Sequence, residues 1–129
     1  MKINNYERVE AQPVQMEGAA GCHVRWLVDE RDGAPTFAMR EFEVAPGGYT
    51  PRHFHDYEHE VFVLEGRGVV LEGDVEHPLV AGDFVLVTPG EIHQFLNTGS
   101  APLKFLCLVP NSSAAQKVTV AAECSRPAK

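Results

Sequence analysis

Residues 47–66 read GGYTPRHFHDYEHEVFVLEG and hold three of the six histidines of the chain, at positions 53, 55 and 59. Side chains two residues apart on an extended chain point to the same face, so His53 and His55 are expected to direct their imidazoles toward one point. Imidazole is a preferred protein ligand of Zn, Cu, Fe and Ni. Two imidazoles on one face, with His59 close behind them, therefore predict a metal site.

Short predicted strands and turns surround this stretch. The strands cover residues 23–28, 36–44, 60–64, 68–71, 75–80, 84–87, 92–96 and 103–109. Residues 46–48, PGG, are expected to end the second strand, and Glu72-Gly73-Asp74 is typical of a β-hairpin. Pro78 cannot donate to a strand ladder and predicts an edge or broken strand. About ten short strands, with no amphipathic helix before residue 110, indicate an all-β sandwich or barrel.

Length and composition predict one small cytoplasmic domain. The 129 residues suffice for a single core, and the net charge of −7 argues against a nucleic-acid or anionic-membrane partner. The polar N-terminus lacks the apolar segment of a secretory signal, and no apolar run approaches the ~20 residues of a membrane span. Three widely spaced cysteines, at positions 22, 107 and 124, do not indicate a disulfide framework.

Three segments are expected along the chain. Residues 1–22 are predicted to form an irregular N-terminal arm with at most one short strand, and residues 23–110 the barrel. Residues 111–129 form a C-terminal extension for which three alternatives stay open over residues 114–123: a short helix, an added strand at KVTVA, or a mobile segment.

A further ligand is expected from a strand distant in sequence. His93 follows a Pro-Gly turn in TPGEIHQFLN, residues 88–97, and is the best candidate. His23 and His77 lack such turn chemistry and are predicted to be surface histidines.

Two motifs give the chain its resemblance to a small single-domain cupin. The first cupin motif is G-x5-H-x-H-x(3,4)-E-x6-G, and residues 47–66 follow it from Gly47 through His53 and His55 to Gly66. The second is approximately G-x5-P-x-G-x2-H-x3-N, and residues 82–97 follow it with Thr88 in place of the proline. The resemblance implies a double-stranded β-helix, the jelly-roll barrel of cupins.

The third ligand departs from the cupin pattern. The motif leaves six residues before its last glycine, and with Gly66 in that position His59 stands where cupins usually place a glutamate, whereas Glu60 fits the looser spacing from the second histidine. Alternation does not decide between them, because both faces of this strand are apolar. The spacing to Gly66 favours His59 as the third ligand, and with it a resemblance to the four-histidine cupins. Glu60 is the alternative ligand, and Glu58 is the weakest candidate.

The expected cofactor is one divalent transition metal, held by His53, His55, His59 and His93. Four neutral imidazoles leave its charge uncompensated, and an octahedral ion would keep two positions open for water, O2 or substrate. The resemblance to cupins favours Mn or Fe, with Ni, Cu or Zn as alternatives.

Five residues are predicted to line the pocket beside the metal: Phe95, Phe105, Cys107, Thr50 and Met39. Lys104 should face water, so Phe105 and Cys107 should face inward on the same strand. No Arg or Lys is clearly forced inward, and alternation does not place Arg40. Such a pocket favours a small, largely apolar or aromatic substrate.

The leading functional hypothesis is a metal-dependent oxidoreductase of the dioxygenase kind. A metal-dependent lyase or isomerase and a non-catalytic small-molecule-binding cupin are the alternatives, because one fold hosts many functions. Several strands carry apolar residues on both faces, so a homodimer is expected to cover the outer one.

Overall fold

The computed structural model describes residues 1–111 and the backbone of residues 118–120. Apart from two single-turn 3-10 helices, Tyr6–Arg8 and Glu30–Asp32, the regular structure of these residues is entirely β, as predicted. Its strands are, in chain order, β1 (Gln12–Pro13), β2 (Ala20–Val28), β3 (Phe37–Tyr49), β4 (His53–His55), β5 (His59–Glu65), β6 (Arg67–Glu72), β7 (Val75–Val80), β8 (Phe84–Val87), β9 (His93–Leu96), β10 (Leu103–Pro110) and β11 (Val118–Val120). No helix in the described residues has the length and hydropathy of a membrane span.

One curled antiparallel sheet joins these strands in the order β11-β4-β9-β3-β10-β5-β8. Strand β2 pairs with β3 and carries β1 on its other side, while β6 pairs with β9 and carries β7. Strands distant in sequence are therefore neighbours, and β4 and β9 lie side by side with His53 opposite His93. This pairing brings the two histidine-bearing segments of the sequence together.

Strand β3 is longer than the sequence predicted. The segment PGG at residues 46–48 was expected to end it, but the strand continues to Tyr49 by changing partners. Its first part pairs with β2 and β10, and Tyr49 pairs with Leu96 of β9. Backbone bonds join the Gly47 N–H to the Asn97 carbonyl at 3.1 Å and the Asn97 N–H to the Gly48 carbonyl at 3.0 Å. The glycines bend the strand across the sheet instead of ending it.

The predicted turn at Glu72-Gly73-Asp74 and the predicted edge strand are confirmed. Glu72 and Val75 pair across the β6–β7 hairpin, and Gly73 takes a positive φ of 60°. Strand β7 contains Pro78 and pairs only with β6 among the described strands, so it is an edge. Val118–Val120 pairs with β4, which matches the added-strand alternative for the C-terminal extension; residues 112–117 and 121–129 lie outside the described residues.

The core lies on the concave face of the sheet. Val44, Val63 and Leu103 are completely buried, and each such side chain contributes about 1.5–3 kcal/mol relative to an exposed one. Phe105 stacks on Phe95 with ring centroids 4.8 Å apart and on Phe42 at 5.3 Å. This aromatic stack leads from the core to the histidine cluster.

Candidate metal centre

Four histidines converge on the concave face, from three strands. His53 and His55 lie on β4, His59 begins β5, and His93 begins β9. The ring centroids of His53 and His93 are 4.5 Å apart, and those of His59 and His93 are 4.8 Å apart. His23 and His77 are exposed, as predicted, and His77 pairs with Glu72 at the surface.

Burial along β5 separates His59 from Glu60. His59, Val61 and Val63 are buried, whereas Glu60 is exposed and faces away from the cluster. The alternative in which Glu60 is the third ligand is therefore wrong in its geometry, because strand alternation directs its carboxylate to the outer face.

Each of the four imidazoles has a hydrogen-bond partner for its Nδ1 atom. His53 Nδ1 lies 2.8 Å from the Pro51 carbonyl, His55 Nδ1 2.7 Å from the Tyr57 carbonyl, and His93 Nδ1 2.8 Å from the Glu91 carbonyl. A carbonyl only accepts, so these rings carry their proton on Nδ1 and leave the Nε2 lone pair free. Metal-binding histidines in proteins are oriented by the same kind of outer partner.

The ligand atoms lie close enough for one ion. One ring nitrogen each from His53, His55 and His93 falls within 4.8 Å of the other two. His59 is outside that group of three, but its Nε2 lies 3.1 Å from the Nε2 of His93. Two lone pairs at this distance repel one another unless a proton or a cation lies between them.

Electrostatics suits these imidazoles to a cation. Burial lowers the pKa of His53 to about 4 and that of His93 to about 3, from an ordinary value of 6.5. Burial also lowers the pKa of His55 and His59. All four are neutral at physiological pH, which is the form that binds a metal. A buried, neutral, convergent nitrogen set fits a divalent transition metal, and its identity is left open by the donor atoms.

Cys107 supplies the outer partner of His59. Its Sγ lies 2.8 Å from His59 Nδ1 and accepts a hydrogen bond from Arg40 Nη2 at 3.0 Å. Burial raises the pKa of the Cys107 thiol, so it is uncharged at neutral pH. Cys22 and Cys107 are both free and buried; Cys124 lies outside the described residues.

A cavity of about 310 Å³ opens beside the four histidines, which form one of its walls. Phe95, Phe105, Cys107 and Thr50 line it, as expected from the sequence. Thr50 has a structural role, because its hydroxyl accepts a hydrogen bond from the Phe95 N–H at 2.9 Å.

Met39 does not line the cavity, so its assignment to the pocket is wrong. Arg40 lines it instead, together with Phe42, because alternate residues of β3 share the concave face. The expectation of a pocket without an inward cation is thereby corrected. Arg40 is accommodated inside because its guanidinium lies over the Trp26 ring, 5.3 Å from the centroid, and over the Phe42 ring at 5.0 Å.

Sequence reasoning missed Tyr57, Trp26 and the arm residues 12–16, all of which line the cavity. Tyr57 follows His55 by two residues and stacks on its ring at 4.2 Å, a proximity that the sequence shows directly. The arm reaches the cavity because β1 pairs with β2, and no local sequence pattern predicts this pairing.

With this geometry established, comparison with known proteins decides the family. A family model described as "Cupin domain" matches residues 40–109, which contain all four convergent histidines. The chain belongs to the cupin family. Its curled sheet is the double-stranded β-helix that the motifs implied.

Among solved structures, the cupin is similar to the polyketide cyclase RemF of Streptomyces resistomycificus. The two share 33% identity over 97% of this chain and 89% of that chain, with a TM-score of 0.87. It is also 25% identical to a cupin-2 domain protein of Rhodospirillum rubrum, over 96% of this chain and 82% of that one, with a TM-score of 0.81.

A curated relative is the 1-methylthio-D-xylulose 5-phosphate methylsulfurylase of Rhodospirillum rubrum. It is 35% identical over 74 residues, covering 57% of this cupin and 47% of that protein. The cupin therefore spans about half the length of that relative. Its relatives include enzymes, and the names of the cyclase and the methylsulfurylase describe two different reactions.

Proposed function

We propose that this cupin is a metal-dependent enzyme that closes a ring on a polyketide-type substrate, a chain of alternating carbonyl and methylene groups, without consuming oxygen. The observation that carries this proposal is the likeness to the polyketide cyclase RemF, which extends over nearly the whole of both chains. The metal-dependent part rests on the histidine cluster: His53, His55, His59 and His93 would hold one divalent ion.

The cavity suits a flat, partly aromatic molecule. Its walls include the rings of Trp26, Phe42, Phe95 and Phe105, and one end is formed by the histidines. A bound metal would act as a Lewis acid that stabilises negative charge on a carbonyl or enolate oxygen. The aromatic walls would exclude water and hold the carbon chain in the folded shape that ring closure requires.

Tyr57 is the candidate proton donor. It lines the cavity, stacks on His55 and lies outside the proposed ligand set. Burial raises the pKa of its phenol, so Oη keeps its proton at neutral pH. An acidic methylene group between two carbonyls would lose a proton to solvent, and its carbon would attack a carbonyl carbon of the same chain. The attacked oxygen would gain negative charge and take the Tyr57 proton, water would then leave to give the aromatic ring, and the phenolate would regain a proton from solvent.

A dioxygenase is the competing enzyme hypothesis. An imidazole-held Fe or Mn is compatible with it, but neither RemF nor the methylsulfurylase is named as an oxygenase. A lyase or isomerase and a non-catalytic binding cupin also remain as alternatives. The methylsulfurylase is an enzyme of a different kind, so the reaction class needs a direct test.

The test uses a synthetic 1,3,5,7-tetracarbonyl ester as substrate and the metal-reconstituted protein under argon and under air. The proposal predicts a cyclised aromatic product lighter by one water, formed at equal rates in both atmospheres and faster than with metal-free protein. Glu60→Ala is the control that should retain this rate, and His93→Ala should lose it. Stoichiometric oxygen consumption would replace the proposal with the dioxygenase, and no acceleration over metal-free protein would contradict it.

We further propose that the cupin forms a homodimer through the outer face of β5 and β8. Phe62 and Phe84 lie opposite each other there and are 44% and 81% exposed, and Leu86 beside them is 56% exposed. Burying these apolar side chains against a second copy would remove them from water. Light scattering should give twice the chain mass for the wild type and for Phe37→Ser, whose exposed ring lies elsewhere, but a monomer for Phe84→Asp. A monomeric wild type would contradict this.

A further inference from the structure

Arg40 is a cation inside the cavity, and none of the described residues places an anion beside it. No carboxylate belongs to the described lining of the cavity, although the chain as a whole carries a net charge of −7. The ion pairs formed by the described residues do not include Arg40. A partly buried charge without a counter-ion is costly, so its retention in the cavity calls for an explanation.

The contacts of Arg40 leave part of its hydrogen-bonding edge unused. The faces of the guanidinium are covered by Trp26 and Phe42, and Nη2 donates to Cys107 Sγ at 3.0 Å. Its Nε is buried and has no hydrogen-bond partner among the described residues. The fixed fork of an arginine matches the two oxygens of a carboxylate or the oxygen of an enolate.

Arg40 and the histidine cluster are neighbours. Cys107 Sγ contacts both Arg40 Nη2 and His59 Nδ1, so one sulfur atom connects the guanidinium with the proposed metal site. A ligand in the cavity could therefore contact both the Arg40 guanidinium and a metal held by the histidines.

We propose that Arg40 is the anion-recognition residue of this cavity, and that the substrate is a flat aromatic or polycarbonyl molecule that carries an anionic oxygen, either a carboxylate or an enolate. This inference deepens the proposed function and rests on it for the choice of substrate skeleton. The apolar walls of the cavity would enclose the flat body of the ligand while the guanidinium binds its anionic end.

The experiment measures ligand binding to metal-free protein, so that neither the metal nor turnover contributes. Trp26 is the single tryptophan of the chain and lies against Arg40, so its fluorescence reports an occupant of this part of the cavity. Nitroaromatic molecules quench tryptophan. The probes are 4-nitrobenzoate, its neutral analogue 4-nitrobenzamide, and 4-nitrophenolate as a stand-in for an enolate oxygen.

Wild-type protein is expected to bind 4-nitrobenzoate or 4-nitrophenolate at least about tenfold more tightly than the neutral amide, as a charge-assisted bond would give. Arg40→Met should abolish this preference while leaving the amide unaffected, and Arg40→Lys should keep part of it. Arg67→Met, an exposed arginine outside the cavity, is the matched control and should behave as wild type. A preference for 4-nitrobenzoate alone would show that Arg40 recognises a carboxylate. A preference for both anions would show that it also recognises an enolate-like oxygen.

Equal binding of anion and amide by the wild type, no binding of either anion, or an unchanged preference in Arg40→Met would overturn the inference. Because the protein is metal-free, these results are independent of whether the metal-loaded cupin closes rings. If Arg40→Met fails to fold, Arg40→Lys provides the test, because it keeps the positive charge but not the planar fork: its preference for the anions should fall below that of wild type, and an unchanged preference would overturn the inference.

Discussion

Replacing His59 by alanine separates a four-histidine metal site from a three-histidine one. His59 is buried beside His93, and its Nε2 lies 3.1 Å from that of His93. The ring nitrogens of the other three histidines remain within 4.8 Å of one another, so metal binding should be weakened without being abolished. Loss of an outer partner of a metal ligand costs about 10–100-fold in affinity, and loss of the ligand itself should reach at least the upper end. A 100-fold loss corresponds to about 2.7 kcal/mol.

The assay is competition for Zn²⁺ or Mn²⁺ against a chromogenic chelator, with far-UV circular dichroism to show that each variant is folded. Glu60→Ala is the matched control, because the adjacent side chain is exposed on the opposite face. His77→Ala removes a histidine outside the cluster. Both controls should bind within about twofold of wild type, a difference of only about 0.4 kcal/mol. Unchanged affinity in His59→Ala, or a larger loss in Glu60→Ala, would refute the four-histidine assignment.

Substitutions at three further positions test the site and the fold that supports it. Cys107→Ala removes the partner of His59 Nδ1 and should weaken metal binding about 10–100-fold in the same competition assay. Cys107→Ser should restore most of the metal affinity, and equal affinities of the two variants would contradict this role. Arg25→Met leaves the fully buried Glu41 without its 3.0 Å ion pair and should lower the free energy of unfolding in urea by about 3–5 kcal/mol at neutral pH. Burial raises the pKa of Glu41, so this deficit should shrink as the pH falls and the carboxyl is protonated; a deficit independent of pH would argue against the buried charge as its cause. Gly66→Ala places a β-carbon 2.3 Å from a backbone carbonyl oxygen at a φ of 85° and should destabilise the fold by more than about 1 kcal/mol, whereas thermal unfolding unchanged from wild type would show that the turn relaxes freely.

The spacing from Gly66 was informative about the candidate third ligand for a physical reason. Gly66 takes a positive φ, and any β-carbon there would collide with the Pro102 carbonyl, so this position requires glycine. The spacing from Gly66 therefore favoured His59 as the candidate ligand where strand alternation alone was ambiguous, and His59 lies on the buried face of β5. The polar Lys104 likewise fixed which face of β10 carries Phe105 and Cys107, and both are buried.

Arg40 and Met39 show where such reasoning fails. Strand β3 lies between β2 and β10, and residues of both its faces are covered, so burial does not alternate cleanly along it. What admits Arg40 to the cavity is its contact with Trp26 of β2 and Cys107 of β10. Those contacts depend on strand pairing between distant segments, which the local sequence does not encode. The pairing of β4 with β9 that brings His53 beside His93 has the same origin.

Whether the histidine cluster binds a metal is answered most directly by the metal content of untagged protein purified from unsupplemented cells, measured by mass spectrometry. If the four histidines form a metal centre, the wild type should contain close to one equivalent of a divalent transition metal per chain, and His93→Ala should contain less. Mn, Fe, Ni or Cu would be compatible with both the dioxygenase and the cyclase hypotheses. Zn, which has no redox chemistry, would favour ring closure or another reaction without a redox change. Protein that contains no metal and takes none up on titration would contradict the assignment of these histidines as a metal centre.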